Sequence, residues 1–281
     1  LASKVADVTL MKIALAQMNV ACDKAANLRK MEMLVSQARS EGADLIAFPE
    51  ASMYGFGSPG DNLIQVAEPV HGEFVSALQE IARLNHIFIL AGMFESGADA
   101  RRVYNTVVVV DDNGKFVDAY RKLHLYDAFG VMESDRFLPG DGETMHFECA
   151  GITVGVMICY DLRFPEVARH LAFLGAEAVI VPAAWYAGPL KEAHLEILCR
   201  ARAIENNIYV AAVMQIGQNF TGSTMVVDPM GVIQASRGEM EGLLLSELMH
   251  DRVESVRATS PTLKNRRTDV YSRWRTTKWY E

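Results

Sequence analysis

The sequence predicts an α/β protein whose sheets are covered by helices. Two observations carry that expectation. Short apolar runs bounded by turn residues alternate with longer stretches of helical period. Two pairs of strand-like runs meet at Asp111-Asp112-Asn113-Gly114 and Asp228-Pro229-Met230-Gly231, which favour tight hairpin turns. No Gly/Ser linker or low-complexity tract divides the 281 residues, so a single domain over 1–281 is expected. Periodicity does not fix the number of sheets.

The elements follow in order. Residues 12–17 read as a strand. Leu28, Met31, Leu34, Val35 and Ala38 recur at helical spacing and predict a helix over 27–40, with Gly42 as its stop. Residues 44–48 form a second strand, ended by Pro49. Phe74, Leu78, Ile81 and Ala82 mark a helix over 74–84, and 87–94 is an apolar strand. The first hairpin joins 103–110 to 115–120. After it come a strand at 152–158 and a helix at 165–174, opened by Pro165 and followed by Gly175. A strand at 178–181, a helix at 192–205 and a strand at 208–214 continue the alternation. The second hairpin joins 224–227 to 232–235. A last strand at 243–246 precedes a basic tail, 250–281, expected to take part in dimerisation.

Composition narrows the class. Half of the residues are hydrophobic and 22% are charged, the balance of a globular chain. With 27 Lys and Arg against 35 Asp and Glu, the net charge is −8, which argues against general nucleic-acid binding and against docking on anionic membranes. No apolar run approaches the roughly 20 residues of a membrane span. The first ten residues carry Lys4 and Asp7 and no apolar core of signal-peptide length. The four cysteines, Cys22, Cys149, Cys159 and Cys199, form no CxxC pair, no disulfide framework and no zinc-type spacing. A reduced, cytoplasmic protein with no metal site is expected.

Three places put a reactive group where a strand ends, a position at which α/β proteins often build sites. Glu50, after Phe48-Pro49, reads either as a solvated loop carboxylate or as a general base in a desolvated mouth. Alternation through 120–125 places Tyr120, Lys122 and His124 on one face. Lys122 is then an edge charge or, in an enclosed site, an oxyanion stabiliser. His124 raises the rival of a Cys–His dyad. Cys159 stands at the end of an apolar strand. It is either a core thiol or a nucleophile whose neighbouring Tyr160 N–H points at an oxyanion.

Taken together these places resemble the Glu-Lys-Cys triad of the nitrilase (carbon–nitrogen hydrolase) superfamily. Glu50 follows Phe-Pro, Lys122 lies in Arg-Lys-Leu-His, and Cys159 lies in Ile-Cys-Tyr-Asp-Leu-Arg-Phe-Pro-Glu. The resemblance runs from Ile13-Ala14-Leu15-Ala16-Gln17 to Lys264-Asn265-Arg266-Arg267. It implies a four-layer α-β-β-α sandwich with no metal or organic cofactor, paired into a homodimer or higher homo-oligomer. Glu133, in Met132-Glu133-Ser134, resembles the family's second active-site glutamate. Residues 122–129, 133–134, 159–166, 182–185 and 188–192 resemble the ω-amidase-related branch, above all bacterial deaminated glutathione amidases. One departure is His194-Leu195, where many members carry His-Trp.

The resemblance implies that Glu50 takes the proton of Cys159, that Cys159 forms a thioester, and that Lys122 and the Tyr160 N–H hold the oxyanion. The expected reaction is hydrolysis of a small carboxylate-bearing amide to acid and ammonia, first choice deaminated glutathione. Alternatives are an ω-amidase on 2-oxoglutaramate, a nitrilase or carbamoyl-amine hydrolase, and an inactive binding protein on the same fold. Arg163 is either a bidentate clamp for a substrate carboxylate or an internal partner of Asp161 or Glu166. Lys191 is a second candidate cation, or a solvated lysine at a helix start. Tyr54, Phe56 and Trp185 are expected to wall the pocket.

Overall fold

The computed structural model describes residues 9–56 and 62–274. Strand β1 (Leu10–Gln17), helix α1 (Lys24–Ser40), β2 (Leu45–Ala47), α2 (Glu73–Asn85), β3 (Phe88–Glu95), β4 (Val103–Val110) and β5 (Phe116–Arg121) make the first half. The second half contains β6 (His146–Cys149), β7 (Ile152–Val156), α3 (Pro165–Phe173), β8 (Ala178–Ala183), α4 (Lys191–Asn206) and β9 (Tyr209–Met214). It ends with β10 (Met225–Val227), β11 (Ile233–Ser236), β12 (Gly242–Met249) and α5 (His250–Thr259).

Two large sheets result. One has the order β12-β1-β2-β3-β4-β5, with the short strand Phe137–Leu138 paired beside β4; the other has the order β11-β10-β9-β8-β7-β6. Each has a parallel centre, β1-β2-β3 in one and β7-β8-β9 in the other, flanked by antiparallel strands. Helical crossovers supply the parallel centres and the two expected hairpins supply antiparallel edges.

Alternation along the first sheet fixes the layers. Ile13, Leu15, Leu90, Val107 and Val109 share one core with the second sheet. Ala14, Ala16, Ile89, Ala91, Val108 and Val110 point the other way, into a core closed by Met31 and Leu34 of α1 and by Phe74 and Leu78 of α2. Helices α3 and α4 cover the far face of the second sheet through Ala168, Leu171, Leu195 and Ala203. This is the α-β-β-α sandwich. The near-continuous burial of β8 and β9 reflects strands covered on both faces.

Local differences from the expected elements have local causes. Helix α1 starts three residues early because the Asp23 carboxylate caps it, accepting from Ala26 N at 2.9 Å. Strand β6, unforeseen, turns back on β7 through Ala150 and Gly151, both at positive φ. The C-terminal stretch opens with α5, whose Val253 and Val256 are buried. Among the described residues no helix is long and apolar enough to cross a membrane.

Candidate active site

Strands of both sheets, three of them from the parallel centres and one the antiparallel edge strand β5, deliver reactive side chains at their carboxyl ends into one cleft. Glu50 follows β2, Lys122 follows β5, Cys159 follows β7, and Ala184 and Trp185 follow β8. Glu50, Lys122, Glu133 and Cys159 all line this cleft and are 1%, 2%, 7% and 8% exposed. Buried charges of this kind persist only when paired.

The Glu50 turn is tied to β3. Ser52 Oγ donates to the Gly92 carbonyl at 3.1 Å and accepts from Gly92 N at 3.0 Å. A Cβ at position 92 would lie 2.4 Å from Ala51 N, so only glycine lets the strand approach so closely. Ala51 itself is at φ 55.

Cys159 sits at φ 45 on a tight 3-10 turn, a backbone region disfavoured for a residue with a Cβ. Asp161, fully buried, holds that turn. Its carboxylate accepts from Ile158 N at 3.0 Å, the Tyr120 hydroxyl at 2.8 Å and His124 N at 3.0 Å, and it contacts His124 Nδ1 at 2.8 Å. His124 therefore faces Asp161, and its ring stacks on Phe164 at 3.6 Å. This removes the geometric basis for a Cys–His dyad.

The hydrogen-bond census separates the two glutamates. Glu133 accepts four contacts. Lys122 Nζ reaches both its oxygens at 2.9 and 2.8 Å, Asn105 Nδ2 reaches Oε1 at 3.4 Å, and Tyr126 N reaches Oε2 at 2.5 Å. Glu50 accepts three. Asn105 Nδ2 at 2.7 Å and Lys122 Nζ at 2.9 Å share Oε1, and Ala184 N donates to Oε2 at 2.7 Å. With about two lone pairs per oxygen, Glu133 is filled and Glu50 keeps capacity on Oε2. Glu50 thus retains an open acceptor position, whereas both oxygens of Glu133 are filled, each with one contact from Lys122.

The electrostatics agree. Burial opposes the charge of Lys122, but the carboxylates of Glu133 and Glu50 outweigh it and hold its pKa well above the ordinary lysine value. Burial pushes the Cys159 thiol well above its usual range, and the nearby Glu50 charge adds to this against the opposing pull of Lys122. A thiol held protonated in this way needs a neighbouring base before it can attack an electrophile.

The outer cleft carries the remaining expected residues. Arg163 pairs with neither Asp161 nor Glu166. Its Nε and Nη2 are buried and have no hydrogen-bond partner among the described residues, while its guanidinium lies 5.0 Å from the Trp185 ring centre and 5.9 Å from that of Tyr160. Lys191 is not a solvated helix-start lysine. It is 7% exposed, donates to the Tyr126 hydroxyl at 2.7 Å and lies 3.8 Å from the Phe129 ring centre. Trp185 fixes that helix start by donating its indole N–H to the Lys191 carbonyl at 2.9 Å. Phe56 and Trp185 do wall the cleft, but Tyr54 does not; it packs against the helix-side core of the first sheet.

Sequence reasoning missed Asn105 and the anchoring role of Asp161. It also gave no role to Tyr126 and Tyr186, which line the cleft. Asn105 had a readable signal, an amide in a strand that runs on into four consecutive valines, Val107 to Val110.

Comparison with known proteins bears on this geometry. Residues 12–258 match the carbon–nitrogen hydrolase family. A deaminated glutathione amidase of Escherichia coli O157:H7 is 37% identical over 83% of this chain and 88% of its own length. One from Rattus norvegicus is 35% identical over 92% and 83%. Among solved structures, a mutant amidase from Nesterenkonia sp. AN1 superposes with a TM-score of 0.82 at 28% identity, covering 94% of this chain and 97% of that one. That structure shows covalent addition of the acetamide moiety of fluoroacetamide at the active site cysteine.

Proposed function

This chain belongs to the carbon–nitrogen hydrolase family and is a hydrolase of carbon–nitrogen bonds, and we propose that it cleaves small carboxylate-bearing amides through a thioester on Cys159. The observation that carries this reading is the buried Cys159 thiol beside a Glu50 carboxylate with one open acceptor position, in the same cleft as an Arg163 whose Nε and Nη2 have no hydrogen-bond partner among the described residues.

In this mechanism Glu50 takes the thiol proton as Sγ bonds to the amide carbonyl carbon and the carbonyl π pair moves to oxygen. Lys122 Nζ and the Tyr160 N–H stabilise that oxyanion. Collapse breaks the C–N bond, and the departing nitrogen takes the proton from Glu50. Water then gives its proton to Glu50 and adds to the thioester; the thiolate leaves and is reprotonated. The sum is amide plus water to acid plus amine.

Substrate choice rests on charge. The cleft presents Lys122, Arg136, Arg163 and Lys191 against Glu50 and Glu133. The cleft lining thus carries an excess of cations in a chain of net charge −8. Deaminated glutathione is the first choice and 2-oxoglutaramate the second. Glutathione's amide bonds are both N-substituted, so the first choice releases an amine; ammonia is the product only for a primary amide such as 2-oxoglutaramate. We also propose a cytoplasmic homodimer of single-domain chains, joined through the helix layers and the tail, where Arg266 lies between the rings of Phe173 and Tyr271.

The test measures acid formation by mass spectrometry from deaminated glutathione, 2-oxoglutaramate, succinamate, carbamoylputrescine and simple nitriles. The parent protein should hydrolyse the carboxylated amides and show an acyl adduct on Cys159 alone. Cys159→Ala should fold and be inactive. An adduct on Cys149 or Cys199 instead, or turnover by Cys159→Ala, overturns the assignment.

A further inference from the structure

We infer that Asn105 is a positioning residue that selects which oxygen of Glu50 acts as the base. The inference rests on the proposed role of Glu50 and extends it to a residue outside the Glu-Lys-Cys set.

Asn105 lies in β4 at full burial, next to β5, the strand that ends just before Lys122. Its backbone carbonyl accepts from Lys122 N at 2.9 Å, and so sets the register of the lysine. Its side-chain amide donates to Glu50 Oε1 at 2.7 Å and reaches Glu133 Oε1 at 3.4 Å. Its own Oδ1 is buried and unpartnered. The orientation is forced, because an amide flipped the other way would aim Oδ1 at two carboxylates. Leaving a carbonyl oxygen unsatisfied costs free energy, and the fold keeps this arrangement nonetheless.

The consequence is a division of labour between the two Glu50 oxygens. Oε1 receives both Asn105 and Lys122 and has no acceptor capacity left. Oε2 receives only Ala184 N and keeps one lone pair. The thiol proton therefore goes to Oε2. Without the Asn105 donor, both oxygens have an open lone pair. The carboxylate is then held on Oε1 by Lys122 alone, the same cation that must serve the oxyanion.

The test uses Asn105→Leu, which keeps the volume and removes the donor, and Asn105→Asp, which keeps the shape and replaces the donor by an acceptor. Alkylation of the intact protein by iodoacetamide is followed by peptide mass, with exposed Cys22 as the internal control. Loss of one hydrogen bond to a charged group should slow Cys159 alkylation about 10- to 100-fold while Cys22 reacts unchanged. On an amide substrate, kcat should fall by a similar factor with KM altered less than about twofold, since Asn105 does not line the substrate cleft. Glu50→Gln should slow alkylation at least as much. Unchanged Cys159 alkylation in a folded Asn105→Leu protein overturns the inference. So does failure of both variants to fold, which assigns Asn105 to the core. Should the parent hydrolyse no amide, the alkylation arm still decides the role of Asn105, so the two failures are distinguishable.

Discussion

Replacing Arg163, which lines the cleft, by leucine removes two buried guanidinium nitrogens that have no hydrogen-bond partner among the described residues, while leaving an apolar side chain against Trp185. Each hydrogen bond to a charged group is worth about 1.5–3 kcal/mol, and a guanidinium offers a carboxylate two in parallel. Water in the cleft restores part of that, so a net loss of about 2–4 kcal/mol is reasonable, or roughly 30- to 1000-fold in kcat/KM at 1.4 kcal/mol per tenfold. In the proposed clamp the contact engages the substrate carboxylate and not the reacting carbonyl, and would hold substrate and transition state alike, so the loss should fall on KM. Arg163→Lys keeps the charge but not the planar fork and should lose about tenfold. The assay compares kcat/KM for succinamate and for butyramide, similar amides with and without a carboxylate. The Arg163→Leu protein should lose its activity on succinamate and keep that on butyramide within about threefold. Equal losses on both, or equal efficiency of the parent on both, would refute the carboxylate clamp.

Lys122→Ala should lose about 100- to 1000-fold in rate, the usual effect of removing an oxyanion donor. It should also unfold more readily, since it leaves Glu50 and Glu133 buried without their cation, and thermal denaturation reads this directly. His124→Ala should retain far more activity than Glu50→Gln, because the imidazole bonds Asp161 and not Cys159; inactivity of a folded His124→Ala would reinstate the dyad. Gly92→Ala places a Cβ 2.4 Å from Ala51 N and should cut turnover by displacing the Glu50 turn, with a correspondingly lower melting temperature; a fully active variant would show that the turn yields at no cost. Light scattering at micromolar concentration should give the mass of a dimer, and a monomer there would contradict the proposed assembly.

The alternation of elements was legible in the sequence because each strand and helix carries its own period, and that period is set by which face is buried. The two hairpins were legible because Asp111–Gly114 and Asp228–Gly231 dictate their own backbone geometry. Starts set by a side-chain cap, such as Asp23 before α1, escaped a reading based on apolar spacing. The identities of Glu50, Lys122, Glu133 and Cys159 came from joint resemblance, since each alone supported a bland alternative. The proposed division of roles between the glutamates could not be read from the sequence, because it rests on counting donors that arrive from Asn105, Tyr126 and Ala184, residues far apart in the chain. The same holds for the outer cleft. Whether Arg163 was paired with Asp161 was open in the sequence, and the structure shows Tyr120, His124 and the Ile158 N–H on the Asp161 oxygens instead. Lys191 read as solvated because helix starts usually are, yet the loop bearing Tyr126 and Phe129 folds over it. A periodic pattern records which face of one element is buried, and it carries no information about which polar groups from other elements meet there.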